Sequence, residues 1–460
     1  MQEAGNSTGR GAGFKRDWTK GSITPNLSSL SWPILINNSF YQLGPTIDMI
    51  WVAKLGATSI AGVGVAGIVV MLVLTAKAGL MVGLRAMVAR FVGAGDVTGA
   101  NNVARQALVI SAVYAAIITP IGFFLAEPIL NLFRLESDVI AEGTAYLRIH
   151  SLAWIPTSFW VTTYTIMQGS GDMVNPMRIA MYARFVHWAI VSFLVFGWWI
   201  FPRLGVSGAA LSNVVGESLG MLISFWILFS GRSRLRLSLS NFRLDPNIIW
   251  RMMKIGFPAL VVTIQRALSN LVFAWVMAPF GTLAVAAHSL VQRVEAFLFL
   301  PGTSFGRGAG VLVGQNLGAH QPERAERSSW LAASLTEGIM LILAVVILLW
   351  AESIIGIFNT EPGLVEVASA FLRIAVVGYL AFGLGTVLAE CLSGAGDTLP
   401  AMLISLGDLW VVRLPLAFLL PWATNLGMFG VRWSIVIGMV VGAVAYVIYF
   451  RGGRWRRQRV

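Results

Sequence analysis

A chain of 460 residues that is 57% hydrophobic and only 12% charged is far too apolar for a soluble surface, where apolar residues stay near half and charged ones near a quarter. The composition excludes a soluble enzyme and requires lipid as the solvent. The formal net charge of +12 does not indicate nucleic-acid binding, because the cations gather in one set of membrane loops, where they set topology and meet anionic lipid.

In chain order, residues 1–27 form a polar tail containing Gly and Ser. They lack the apolar core of about 7–15 residues that a cleaved signal requires, so the tail is expected to remain. Twelve apolar stretches follow, each long enough as a helix of about 20 residues to cross a hydrocarbon core of roughly 30 Å. Spans 1–6 lie near 29–53, 58–82, 104–126, 146–168, 178–201 and 206–230; spans 7–12 lie near 252–279, 284–306, 328–350, 369–392, 401–421 and 427–450. The expected fold is an all-α integral membrane protein of two six-helix lobes, 28–230 and 251–450. A basic linker (231–250) joins them and a basic tail (451–460) ends the chain. Within the linker, the alternating stretch from Arg234 to Ser240 is expected to lie along the membrane surface.

One side of this topology collects Lys15, Arg16, Lys20, Arg85, Arg90, Arg105, Arg178, Arg184, the linker arginines, Arg307, Arg324, Arg327 and the tail arginines. The other holds only scattered cations such as Lys54, Arg134, Arg203 and Arg432. Short cytoplasmic loops retain Lys and Arg, so both termini are expected in the cytoplasm and the protein in the cell inner membrane. Lys77 is expected to snorkel toward the same surface.

Charged and amide side chains inside spans are costly in lipid and mark pathways or paired sites. In span 1, Asn37, Tyr41, Gly44 and Asp48 are spaced 4, 3 and 4 and share one helical face, with Asn38, Gln42 and Pro45 adjoining. Pro45 has no amide hydrogen for the Tyr41 carbonyl, so the helix can bend there. Asp48 thus has the ingredients of a proton or sodium site, the alternative being a carboxylate tied to a neighbouring hydroxyl or to Lys54. Further candidates are His187 in span 5, Glu217 in span 6, Gln265 and Arg266 in span 7, Glu295 in span 8, Glu390 in span 10, and Asp408 with Arg413 in span 11. Arg266 is placed to hold Glu295, as either a structural or an ion-coupled pair. His187 is either a proton relay or a packing residue. At the ends of spans 4 and 10, Gly169-Ser-Gly171-Asp172 and Gly394-Ala-Gly396-Asp397 supply a sharp turn followed by a helix cap, suited to a hinge. Most of the 17 tryptophans are expected in interfacial belts.

The lone Cys391 allows no internal disulfide. No Cys/His cluster has metal-ligand spacing and no phosphate-binding glycine loop is present, so no cofactor is expected and an ion gradient becomes the default energy source.

The chain also repeats itself at an offset of 225. Phe133-Arg-Leu-Glu136 and Tyr146-Leu-Arg-Ile149 fall on Phe358-Asn-Thr-Glu361 and Phe371-Leu-Arg-Ile374, and Pro33, Gly56 and Gly93-Ala94 fall on Pro258, Gly281 and Gly318-Ala319. A duplicated membrane unit places a shared cavity between two bundles.

Gln168-Gly-Ser-Gly-Asp172 with Asn175-Pro-Met177, Ser393-Gly-Ala-Gly-Asp-Thr-Leu-Pro-Ala-Met402, Val313-Gly-Gln-Asn-Leu-Gly-Ala319, Ile47-Asp-Met-Ile-Trp-Val-Ala-Lys-Leu-Gly56 and Gly281-Thr-Leu-Ala-Val-Ala-Ala-His288 together resemble the multidrug and toxic compound extrusion (MATE) family, over about residues 28–450. The resemblance implies a V-shaped two-lobe antiporter, a monomer in contact with membrane lipid, that exchanges protons or sodium for organic cations. Asp48 matches the first-helix acidic residue that DinF-like members use for coupling. This chain departs from the family elsewhere. Span 5 offers His187 and Ser192 where DinF-like members carry Asn and Asp, and the NorM-like acidic position of span 7 holds Arg266. On these grounds the ion-coupling set is Asp48, Asn37, Tyr41, Glu295 and Glu390, and the substrate cavity is Asn38, Gln42, His187, Gln265 and Arg266. A lipid-linked saccharide flippase of the same superfamily remains the alternative, with Lys77, Arg266, Arg293 and Arg413 as its only internal cations. A non-transporting scaffold gains nothing from the polar stripe.

Overall fold

The computed structural model describes residues 17–240 and 242–458, and every regular element among them is helical. The first half contains α1 (Ile23–Ala53), α2 (Ala57–Gly93), α3 (Val97–Phe124), a short α4 (Ala126–Asn131), α5 (Ser137–Ser170), α6 (Val174–Phe196) and α7 (Val206–Ser230). The second half contains α8 (Pro246–Met277), α9 (Thr282–Leu298), α10 (Leu300–Gly318), α11 (Pro322–Gly356), α12 (Pro362–Ala395), α13 (Thr398–Gly407), α14 (Leu414–Ala423) and α15 (Met428–Arg451). Helices α9 and α10 form one rod interrupted at Phe299, and α13 and α14 form another joined by a π-helical segment, Asp408–Arg413. The result is six rods per half. Ten of them are long and apolar enough to cross a membrane; α1 and α5 equal these in length, at 31 and 34 residues, but carry more polar side chains.

Two of the twelve rods run well past the apolar stretch that announces them. Spans 2 and 8 were expected to stop near 82 and 306, yet α2 continues to Gly93 and α10 to Gly318. The added turns are sheathed by protein: Arg85, Gln315 and Asn316 are buried there. An apolar run measures contact with lipid, so it ends where protein takes over the burial.

The extra turns make the junction between the lobes. A Cβ on Gly93 of α2 would stand 2.0 Å from the Gln315 carbonyl oxygen of α10, and a Cβ on Gly318 of α10 would stand 2.1 Å from the Arg90 carbonyl oxygen of α2. Each contact maps onto the other by the offset of 225, so α2 and α10 cross at the pseudo-twofold axis with backbone against backbone. Only glycine permits that approach. Glycines recur along α10 at every fourth residue, 302, 306, 310, 314 and 318, and several of them meet α12 or α2 within van der Waals contact.

Around this crossing the lobes exchange helix ends. Leu27, Leu30 and Ile34 of α1 pack into the core formed by α10, α11 and α12. Their repeat counterparts in α8, Met252 and Ile255, pack into the core formed by α2, α3, α5 and α6. The far end of α1, at Val52, returns to the core of its own half, and the far end of α8, at Phe273 and Val276, does the same. Both helices therefore straddle the two lobes. Helix α1 runs unbroken through Pro33 and Pro45.

The connections are ordered parts of the core. The linker packs onto the first lobe: Leu235 and Leu237 are buried against it, the Ser238 amide donates to Asn101 Oδ1 at 3.2 Å, and Arg105 Nε donates to the Ser238 carbonyl at 2.5 Å. Alternation of Leu with Arg, read as a surface strip, serves here to bury one edge against α3. The tail is anchored too. Trp455 is fully buried, stacks on Phe450 at 4.5 Å and donates from Nε1 to the Phe450 carbonyl at 2.9 Å. On the same face, Trp18 donates from Nε1 to the Gly171 carbonyl at 3.1 Å. Lys15, Arg16 and Arg459 lie outside the described residues.

The crossing predicts a selective glycine requirement. Gly93→Ala is expected to destabilise the protein by about 1–3 kcal/mol, the usual cost of overpacking, whereas Gly338→Ala, with nothing within 4 Å of its Cβ position, is expected to leave the melting temperature in detergent unchanged or slightly raised. Thermal unfolding followed by tryptophan fluorescence compares the two.

Candidate functional site

Three helices of the first lobe bring charged groups together within it. Helix α1 supplies Tyr41 and Asp48, α6 supplies Arg184 and His187 three residues apart, and α7 supplies Asn213 and Glu217 four residues apart, so each pair shares one helical face. Small residues bring the helices close enough: a Cβ on Gly216 would lie 3.0 Å from the His187 Cβ, and one on Gly44 would lie 3.8 Å from Arg184 Nη1.

Asp48 is held between α6 and α7. His187 Nε2 lies 3.2 Å from Asp48 Oδ1 without the alignment of a hydrogen bond, and Asn213 Nδ2 donates to Asp48 Oδ2 at 3.4 Å and to the Ala209 carbonyl at 3.1 Å. His187 is 1% exposed and Asp48 17%, by side chain, and His187 Nδ1 has no hydrogen-bond partner among the described residues. Beside them Arg184 Nη2 pairs with Glu217 Oε1 at 3.3 Å, and its guanidinium lies 5.6 Å from the centre of the Tyr41 ring. Counted formally, the two carboxyl groups of this cluster outnumber its one guanidinium.

The polar face of α1 makes its contacts in two places. Asn37 Nδ2 donates to Tyr164 OH of α5 at 2.9 Å, and Asn38 Nδ2 donates across to Ser304 Oγ of α10 at 3.2 Å. Eleven residues separate Asn37 from Asp48, about 16 Å at 1.5 Å per residue, so the stripe feeds the lobe junction at one end and the charged cluster at the other. Gln42 is half-buried between them.

The second lobe closes its charges differently. Arg266, expected to hold Glu295, is exposed, because its neighbour Gln265 turns inward to donate to the Ser405 carbonyl at 2.7 Å and successive helical residues point about 100° apart. Arg432 of α15 holds Glu295 instead, in a close ion pair that Tyr379 completes by donating to Glu295 Oε1 at 3.0 Å, while Arg432 Nε donates to the Phe371 carbonyl at 3.2 Å. Arg432 is 1% exposed, so its assignment to the membrane rim from sequence is corrected. Asp408 accepts from Arg413 Nε at 2.9 Å across the π-helical segment. Glu390 is not near Asp48 or Glu295: it bridges the lobes, accepting from Arg85 Nη2 of α2 at 2.7 Å with Arg307 Nε of α10 at 3.8 Å.

Lys77 does not snorkel. It is buried and its Nζ donates to Ser111 Oγ at 2.7 Å, 5.3 Å from the Tyr114 ring centre. The glycine turns have the expected backbone, with Gly171 at φ 85° and Gly396 at φ 83°. Asp172 accepts from the Asn175 amide at 3.2 Å and from Ser233 Oγ at 2.8 Å, whereas Asp397 makes no cap bond and accepts from Tyr449 OH at 2.7 Å. Gly169 and Gly394 lie against Val88 and the Gly310 backbone. One half-buried carboxylate escaped the sequence reading. Glu337 of α11 makes no salt bridge among the described residues, and its Oε1 is buried and unbonded; the signal was a lone Glu within an apolar stretch.

The Glu295–Arg432 pair sets up a test by difference. Arg432→Leu alone leaves a buried carboxylate unpaired and is expected to cost about 3–5 kcal/mol, while Arg432→Leu with Glu295→Leu is expected to recover most of the loss. Melting temperatures of the single and double variants measure it.

Comparison with known proteins accords with the repeat. A relative named "Probable multidrug resistance protein NorM" in Deinococcus radiodurans is 27% identical over 443 residues, covering 93% of this chain and 96% of the relative. A relative of the same name in Thermotoga maritima is 23% identical over 451 residues, covering 95% and 94%. A solved structure described as the outward-facing conformation of a multidrug resistance MATE family transporter of the MOP superfamily superposes with a TM-score of 0.86 at 23% identity, covering 95% of this chain and 96% of that one. The MatE family profile matches residues 33–194 and again 258–419, 225 apart at both ends. With two copies of that profile spanning the two lobes, the chain belongs to the MatE family.

Proposed function

We propose that this protein is a secondary multidrug efflux antiporter that exports organic, mostly cationic, lipophilic compounds in exchange for protons or sodium ions. The observation that carries the reading is the formal excess of one carboxyl group over guanidinium in the first-lobe cluster of Asp48, Arg184, His187, Asn213 and Glu217. A carboxylate held in a partly enclosed place with one cation too few is most stable after taking up a cation. A coupling ion and an organic cation can each satisfy it, and competition between them links the two fluxes. The names of the relatives support the export of drugs, and the aromatic ring of Tyr41, which is 53% exposed, suits an organic cation.

The directional parts of the reading rest on charge placement. The two described ends of the chain, the linker and most arginines share one face, which we take as cytoplasmic in the cell inner membrane. Among the described residues, side-chain hydrogen bonds between the lobes and their attached ends run from that face only as far as Asn38 and Ser304: Arg90 to the Gln458 carbonyl, Arg324 to the Lys20 and Gly21 carbonyls, Gln315 to Gly169, Arg85 to Glu390, and Asn38 to Ser304. A junction tied at one face and untied at the other is an arrangement open outward. Substrate enters when the tie is released, the lobes rock, and uptake of the coupling ion at Asp48 expels it. The protein works as a monomer in contact with membrane lipid.

In proteoliposomes loaded with ethidium, efflux driven by a proton gradient or by a sodium gradient, imposed separately, is expected to fall at least tenfold in Asp48→Asn, a change that deletes the exchangeable charge but keeps the shape. Efflux in that variant at the wild-type rate under either gradient overturns the assignment of Asp48, and binding of lipid-linked saccharide without ethidium transport favours the flippase reading.

A further inference from the structure

The Arg85–Glu390 contact is the one salt bridge joining the two lobes among the described residues. All the other ion pairs lie within a single lobe or its attached segments. It is largely enclosed, with side chains 10% and 22% exposed, and sits beside the glycine crossing of α2 and α10. Breaking such a pair leaves a carboxylate unpaired in a poorly solvated place, which is costly. A transporter whose lobes part at this seam would meet that cost in every cycle unless Glu390 had somewhere else to turn.

Arg307 supplies the alternative. It belongs to the same lobe as Glu390 and stays beside it when Arg85 leaves. Its Nε stands 3.8 Å from Glu390 Oε1, about 1 Å beyond hydrogen-bond distance, and is a buried donor with no hydrogen-bond partner among the described residues. The two helices that carry them cannot separate easily: a Cβ on Gly306 would lie 3.2 Å from the Glu390 Cβ, and one on Gly310 would lie 2.6 Å from the Glu390 carbonyl oxygen. Glu390 and Arg307 therefore move as one body.

We infer that Glu390 is a latch that changes partners, held by Arg85 of the first lobe in the present arrangement and handed to Arg307 of its own lobe when the lobes part. Arg307 is then a positioning residue for transport, because it keeps Glu390 paired in both arrangements and so brings them close in free energy. Each cation has an opposite effect on the equilibrium. Arg85 favours the arrangement seen here, and Arg307 favours the parted one. The inference rests on the rocking motion proposed above.

The test reads populations instead of transport alone. In a Cys391→Ala background, spin labels at Ala57→Cys and Thr282→Cys, exposed repeat counterparts at the starts of α2 and α9 on the face away from the termini, report lobe separation by pulsed electron resonance in proteoliposomes. Arg85→Gln is expected to raise the short-distance fraction relative to the long one by about tenfold, and Arg307→Gln to lower it by about as much. Arg307→Lys, which keeps a cation within reach, is expected to restore the wild-type ratio. In a Glu390→Gln protein, Arg307→Gln is expected to add nothing. A shift by Arg307→Gln in the same direction as Arg85→Gln, no shift at all, or no restoration by Arg307→Lys overturns the hand-over. Should the wild type show a single distance at every pH and ethidium concentration, the rocking motion itself is refuted, a result distinct from a wild type that switches while Arg307→Gln leaves its ratio alone.

Discussion

The close crossing of α2 and α10 is the constraint on which the rest of the molecule depends. Neither lobe could approach the other without Gly93 and Gly318, because each offers its missing side chain to the carbonyl of the opposite helix. In lipid there is little hydrophobic force between helices, and close backbone packing with interhelical hydrogen bonds does most of the joining. The glycine ladder of α10 performs this twice, toward α2 across the lobe boundary and toward α12 within its own lobe. Glu390 lies where the two contacts meet, so its partners report on the junction.

Around that crossing the two lobes distribute charge unequally although they descend from one repeated unit. The second lobe neutralises Glu295 with Arg432 and Asp408 with Arg413 in closed pairs. The first lobe leaves Asp48 facing a histidine and an amide, with Arg184 already engaged by Glu217. Duplication fixed the backbone and released the side chains. Pro33 and Pro258, and the glycine turns near 171 and 396, kept their places, while the residues that decide where a cation can be taken up diverged.

Much of this was legible in the sequence, and the boundary of legibility has a physical basis. Hydropathy and the 225-residue offset are properties of the chain alone, so the twelve rods, the two lobes and the turn glycines could be read directly. Partner choice was not, because it depends on which helix faces which. Arg184, Arg307 and Arg432 were counted only toward one side of the membrane or the other, yet each is aimed at a carboxylate on another helix. Asp48 was visible through its helical face with Tyr41, whereas Asn213 gave no sign among the small and apolar residues of α7. Gln265 and Arg266 show the limit most plainly: adjacent in sequence and assigned together, they point to different surroundings.

The exchange of helix ends also bears on how the protein is made. The inner core of the first lobe includes Met252 and Ile255, which emerge from the ribosome after every other helix of that lobe. Until α8 arrives, the first six rods hold an open seat against α2, and in the same interval the start of α1 has no core to enter, since its leucines belong with α10, α11 and α12. The first lobe is thus obliged to wait for the second, and assembly is cooperative across the whole chain even though each half carries a full set of spans. For the same reason the two halves, produced as separate polypeptides, have a built-in way to find each other: each completes the other's core by lending it one helix end.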